Sequence, residues 1–396
     1  MRPGWAAVSL GEVCRISGDV VHPAALPPNT PYIGLEHIEK GGRLIGSSSI
    51  GAAKVTSAKV RFTPSHVLFG KLRPNLSKIT TAEVAGVAST DILPLLPSDL
   101  IDKRFLLHHL RRQVVTDEVT RRATGANLPR ISPKALATIE IPLPPLDEQR
   151  RIAAVLDHVD DLRRARQAVV EEVDRLRTAV IQIALAALDV APCELQDVAV
   201  VSSGITKGRK APSGPLVETP YLAVSNVQDG WLALSSVKTI AVSASEVERF
   251  ALHSGDIVLT EGGDPDKLGR GTLWREELPT AIHQNHIFRV RSRGPEQTLP
   301  DYLALALRSA EARSHFLRSA KQTTGIATIN MTQLKRTPVR IPDLERQREV
   351  VRRVVGIDAV QATAKRHLGE LDALFASLQA RTFAGELDLS KVILPT

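Results

Sequence analysis

The sequence predicts an α+β chain: two β-rich globules, each with a short helical part, alternating with two long helices under pseudo-two-fold symmetry. Three observations predict it. The chain repeats itself without a gap at an offset of 198 positions: Ile131 meets Ile329, Leu136 meets Leu334, Ile141 meets Val339, Pro144 meets Pro342, Gln149 meets Gln347 and Ile152 meets Val350. A period near half the chain length marks a duplicated unit. Each repeat opens a heptad pattern, and each is preceded by short apolar runs broken by proline and glycine.

The first globule opens at Trp5 with VSLGEVCRISG and turns at Pro27 and Pro28. The runs YIGLEHI, VRF, HVLFGKL and VASTDILPLL then read as strands. Residues 102–122 read as one helix with Phe105, Leu106, Leu110, Val114 and Val119 inward. The loop TGANLPR, residues 124–130, leads into the repeat.

At the junction an apolar strand ends in prolines, which cost no hydrogen bond at a helix start. Asp147 and Glu148, and Glu345 in the second copy, favour the positive end of the helix dipole. The first heptad runs Ile152, Val155, Val159, Leu162, Val169, Val173, Leu176, Val180 and Ile183, with Arg166 interrupting. The second runs Val350, Val354, Ile357, Val360, Ala364, Leu368, Leu371, Leu374 and Leu378. Both are coiled-coil patterns. A helix of roughly 38 residues is about 57 Å long, which makes it a spacer. The expected boundaries are 1–145, globule one; 146–188, central helix; 189–343, globule two; 344–386, second helix; and 387–396, a tail.

The second globule retells the first. LQDV from Leu195 answers LGEV from Leu10, and YLAVSNV from Tyr221 answers YIGLEHI from Tyr32. Tyr302, Leu303, Leu307 and Arg308 answer Phe105, Leu106, Leu110 and Arg111. Thr324-Gly325 answers Thr124-Gly125, while the intervening loops diverge.

The net charge of +8 sits on the globules. Residues 1–145 hold 18 Lys and Arg against 11 Asp and Glu, and residues 191–340 hold 18 against 15. Residues 146–190 are net acidic, with 7 against 9. A polyanion would be gripped by the globules, with the helices holding them apart. Two cysteines, Cys14 and Cys193, fit a reducing cytoplasm and no disulfide framework. No apolar run suggests a signal peptide or a membrane span. There is no GxxxxGK[ST] phosphate loop, no GxSxG elbow and no glycine-rich cofactor loop. His283 and His286 lie on an expected strand with side chains facing opposite ways, a poor metal site. The helix carboxylates Asp157, Asp160, Asp161, Glu171 and Glu172 read as a solvated face. The chain itself therefore reads as non-catalytic, with no cofactor and no metal of its own.

The run IEIPLPPLDEQRRIAAVLD, the TGANLPRIS loop before it and FAGEL from Phe383 resemble the specificity subunit of type I restriction–modification systems. The second copy departs from the pattern, with Pro342-Asp343 for Pro144-Pro145 and Arg346 for Glu148. The resemblance implies that each globule is a target-recognition domain reading half of a split DNA site. It implies two antiparallel coiled-coil helices that set the spacing and dock two methyltransferase subunits, joined by restriction subunits. S-adenosylmethionine, ATP and Mg would then act on those partners.

Phosphate contacts need Lys or Arg, and base readout needs donors and acceptors on loops. In globule one the candidates are Lys71, Arg73, Asn75 and Lys78, then Thr124, Asn127 and Arg130. In globule two they are Lys207, Arg209 and Lys210, then Lys267 and Arg270, then Lys321, Gln322, Thr323 and Thr324. The alternatives are a coiled-coil scaffold binding only proteins, and an enzyme with an unrecognised site, such as a stand-alone nuclease. Replacing Arg73 and Lys78 together by alanine is expected to weaken DNA binding in gel-shift titration, with folding retained.

Overall fold

The structure is a computed structural model that describes residues 4–209, 214–263, 268–323, 326–390 and 392. Tertiary contacts divide the mixed α+β chain into two units, Met1–Ala168 with Arg366–Thr396, and Val169–Lys365. The division cuts through two long helices, Leu146–Ala186 and Leu344–Phe383, because each core takes in the start of one and the end of the other.

In the first unit a four-stranded antiparallel sheet runs in the order Cys14–Ile16, Ile92–Pro97, Val67–Gly70, Ile79–Thr81. A five-stranded sheet contains Pro31–Ile33 running parallel to Gly86–Ser89, with Tyr32 opposite Val87. Ala6–Ser9 pairs with Glu140–Leu143 just before the first long helix. In the second unit the same order recurs as Ala199–Ser203, Ile287–Ser292, Ile257–Thr260, Gly271–Leu273. Val217–Leu222 runs parallel to Ile282–His283, with Tyr221 opposite Ile282. Cys193–Glu194 pairs with Pro338–Val339 before the second long helix.

The span expected to be one helix over 102–122 is two, Lys103–Leu110 and Gln113–Arg122. Asp102 caps the first, its carboxylate accepting from the N–H of Arg104 (2.9 Å) and Phe105 (3.0 Å). The backbone leaves the helix at Arg112 (φ −61, ψ 141), just after Arg111. Its guanidinium turns inward, donating to Ile79 O (2.8 Å) and Gly42 O (2.7 Å). Burial lowers its pKa to about 10, which still leaves it charged at neutral pH. After the break Val115 is buried and Val114 is exposed, reversing the expected inward position.

The glutamine of each repeat is fully buried at the start of its long helix. Gln149 Oε1 accepts from Asp102 N (2.8 Å), while Nε2 donates to Leu100 O (3.0 Å) and Pro144 O (2.8 Å). Gln347 Oε1 accepts from Leu299 N (2.8 Å), while Nε2 donates to Gln297 O (2.8 Å) and Pro342 O (2.7 Å). Leu299 stands at the N-cap position of the helix Pro300–Ala306, where Asp102 stands before Lys103–Leu110, but without a side-chain cap. One amide thus satisfies three backbone groups in each unit, tying helix start, strand end and globule together.

The expected heptad seam holds in part: Val354 and Ala364 are buried with it, while every seventh position of the first helix from Leu162 to Ile183 turns outward. Ile152, Val159 and Val350 are buried, and Val155, Val173, Val180, Ile357, Leu368, Leu371 and Leu378 are half-buried. Leu162, Val169, Leu176 and Ile183 are between 42% and 68% exposed, as are Val360 and Leu374. Their neighbours Arg163, Val170 and Arg177 turn inward instead. In the first unit Arg163 Nε donates to Asp372 Oδ1 (2.7 Å), and its guanidinium lies 4.5 Å from the centre of the Phe375 ring. In the second unit Arg177 pairs with Asp358, and Gln361 donates to Asp174 (3.0 Å). Three residues forward on one helix match three back on the other, so the pair is antiparallel there. Hydrophobicity alone selects leucine, but a long arginine lays its aliphatic stem in the seam and meets an aspartate across it. Among the described residues no helix is long and apolar enough to cross a membrane.

Gln149→Ala leaves one N–H and two carbonyls without partners and is expected to cost about 3 kcal/mol. Gln347→Ala should do the same in the second unit. A lowered urea midpoint with an unchanged slope measures it.

Candidate nucleic-acid interface

The two candidate clusters of the first unit, more than forty residues apart in sequence, form one surface. Leu72 bridges to Arg130, and Arg73 N donates to Pro129 O (2.7 Å). Thr124 and Arg130 exchange backbone hydrogen bonds of 2.9 and 2.8 Å, closing the loop around Gly125, whose φ of +108 suits glycine. Arg73 (φ 49) and Ser77 (φ 47) flank the turn Pro74–Leu76 in the left-handed region. That conformation is sparsely populated for side-chain-bearing residues and clusters at ligand-gripping loops. Arg73, Asn75, Thr124, Asn127 and Arg130 are exposed, and Lys71 is half-buried. Lys78 is used internally: its Nζ donates to Leu35 O (2.8 Å). Removing Lys78 therefore costs the loop an anchor, and Arg73 alone is the cleaner probe.

In the second unit Lys207 is exposed, with Nζ 5.5 Å from the centre of the Tyr221 ring. Arg209 is engaged by Glu246 through two contacts of 2.7 Å. That hydrogen bonding holds the Glu246 carboxyl down to about 2. Arg270 is half-buried, with Nη1 3.4 Å from Gln228 Oε1. Lys321 is exposed on the strand Lys321–Thr323, which also holds Gln322 and Thr323. That strand and Ile326–Thr328 form a three-stranded sheet with Gly262–Gly263. Lys210, Lys267, Thr324 and Gly325 lie outside the described residues.

The two surfaces share a backbone frame. Ile131 N donates to Lys71 O (3.1 Å), and Ile329 N to Glu261 O (2.9 Å). Lys71 N donates to Asp91 O (2.9 Å), and Glu261 N to His286 O (3.0 Å). Leu72 bridges Arg130 where Gly262 pairs with Thr328. A side chain at Gly262 would meet Thr328 Cγ2 at 2.6 Å, so the second frame needs glycine there. The side chains on this common frame differ in kind: Lys71 and Asp91 in one, Glu261 and His286 in the other. Arg130 Nε pairs with Asp91 Oδ1 (3.1 Å), and His286 Nδ1 with Glu261 Oε2 (2.6 Å). Sequence reasoning missed Asp91 and Glu261, because a search for basic loop residues passes over acids, and weighed His286 only as a metal ligand. His283 points the other way, buried, with Nδ1 donating to Ile287 O (2.9 Å) and its pKa lowered to about 4 by burial.

Residues 3–172 match the model of the type I restriction modification DNA specificity domain. The chain is 26% identical over 316 residues to the EcoKI specificity subunit of Escherichia coli K12, covering 74% of this chain and 67% of that one. It is 24% identical over 432 aligned positions to the StySPI specificity subunit of Salmonella potsdam, covering 97% and 89%. Two solved structures share the fold. One comes from work on complex assembly and conformational transition of the type I R-M system (TM-score 0.61, 18% identity, 98% and 99% covered). The other is the type I S subunit from M. genitalium (TM-score 0.56, 14% identity, 96% of each).

Arg73→Ala is expected to weaken binding to duplex DNA and to lower the slope of log affinity against log salt by about one. Arg209→Ala, whose charge is already met by Glu246, should leave the slope unchanged. Gel-shift titration across a salt series separates the two.

Proposed function

Because the chain belongs to the family of type I restriction–modification specificity subunits, we propose that it is the DNA sequence-specificity subunit of such a complex, each unit reading one half of a bipartite site. The observation that carries this reading is the duplicated surface: one backbone frame, bearing different side chains at matching positions, with Lys71 answered by Glu261 and Asp91 by His286. A frame kept constant while its exposed side chains differ suits two readers of two different sequences. A symmetric pair of identical heads would read a palindrome; these two would read an asymmetric site.

The long helices act as the ruler. At 41 and 40 residues they are about 60 Å long, enough to span one DNA turn of about 34 Å between half-sites. The apolar residues turned outward at Leu162, Val169, Leu176 and Ile183 recur every seven positions. That is the spacing a partner helix needs. We assign this stripe to the docking of two methyltransferase subunits, which restriction subunits would join. The chemistry, with S-adenosylmethionine, ATP and Mg, would belong to those partners, and the target-recognition domains would be the regions 1–145 and 189–343.

Footprinting of the chain assembled with its methyltransferase subunits is expected to show two protected half-sites separated by an unread gap. Inserting one heptad into each long helix should lengthen the gap and leave the half-sites unchanged. Protection independent of sequence, or none, would favour a scaffold that binds only proteins.

A further inference from the structure

The acid–donor pairs on the shared frame have a use that stability does not supply. Ion pairs with one exposed partner add little to folding, and the donors here are exposed, Arg130 at 44% and His286 at 56%, above half-buried acids, Asp91 at 27% and Glu261 at 32%. Each pair has been rebuilt on different positions of one scaffold. In the first unit the acid stands at 91 and the donor at 130. In the second, position 91 is answered by His286, position 71 by the acid Glu261, and position 130 by Thr328. A pair that is kept while its places change is kept for its orientation.

We propose that Arg130 and His286 are specificity-determining residues of the two readers, and that Asp91 and Glu261 are the positioning residues that aim them. This rests on the reading of the chain as a DNA specificity subunit. Asp91 holds Arg130 through Nε, and the outer edge of the guanidinium carries one long contact, Nη1 to Leu128 O at 3.4 Å. A guanidinium fixed at its inner nitrogen offers a two-pronged donor, which matches guanine O6 and N7 in the major groove. His286 is fixed the other way round. A carboxylate only accepts, so Nδ1 carries the proton toward Glu261, and Nε2 of the neutral ring becomes an acceptor. That matches an exocyclic amino group, adenine N6 or cytosine N4. One reader therefore selects a base by its acceptors and the other by its donor.

The test is binding-site selection from a randomised duplex library, using the full chain assembled with its methyltransferase subunits. Wild type should prefer guanine at one position of one half-site, and adenine or cytosine at one position of the other. Arg130→Ala should flatten the first preference by roughly tenfold or more, and His286→Ala the second, each leaving the other half-site intact. Asp91→Asn should weaken the first preference by less than Arg130→Ala, and added to Arg130→Ala it should do nothing more. Glu261→Gln should relax the second in the same way, with thermal unfolding unchanged in all four. Base preferences that survive every substitution overturn the proposal. So does an affinity loss shared equally by all sequences, or a lowered melting temperature with preferences intact. A wild-type complex that selects no sequence overturns the functional reading and this inference with it; a selective wild type with unaltered variants overturns this inference alone.

Discussion

The buried amide at the head of each long helix is the constraint on which the rest of the molecule depends. A helix that leaves a globule at an uncertain angle cannot serve as a ruler. Gln149 and Gln347 remove that freedom. Each binds the capping N–H of the globule's own helix, a carbonyl in the chain leading to it, and the proline carbonyl at the end of the entering strand. An aliphatic residue would fill the same space and leave three polar backbone groups unmet. Around this anchor the two units repeat a four-stranded sheet, a parallel strand pair and a two-stranded clasp in the same order.

Much of this was legible from the residues. The offset of 198 was exact enough to pair Gln149 with Gln347 and Ser132 with Asn330, which both cap the short helix before the clasp strand. Glycine and proline punctuation located the strands only in part: YIGLEHI leaves its strand at Ile33 for a 3-10 turn, Leu35–His37, and VASTDILPLL is two strands, Gly86–Ser89 and Ile92–Pro97. What the sequence hid were positions where a charge outcompetes a hydrophobe. Arg111, at the end of a helix, turns inward to two backbone carbonyls, and nothing local announces them. Arg163 and Arg177 displace Leu162 and Leu176 from the seam because their aspartate partners lie on another helix.

The candidate surface was legible as a region and less so as residues. Both clusters of the first unit lie on one surface, and Arg73 and Arg130 stand on it. Lys78 and Arg209 carry the right charge but spend it inside the protein. Composition cannot distinguish a lysine that awaits phosphate from one that already holds a carbonyl. The acids at 91 and 261 were passed over for the complementary reason: beside a polyanion a carboxylate looks misplaced until its cationic or imidazole partner is seen.

The first core draws on residues from Trp5 to Leu389, while the second is assembled from Ile181 to Val354 alone. On a ribosome the order of completion is therefore reversed. The half that emerges first must wait, partly open, until Phe383 and Leu389 are made, whereas the later half closes on its own. Loop closure over nearly four hundred residues is slow compared with local packing. Nascent chains would thus pass through a stage with one finished reader and one exposed apolar core, and that stage is where chaperones would be needed.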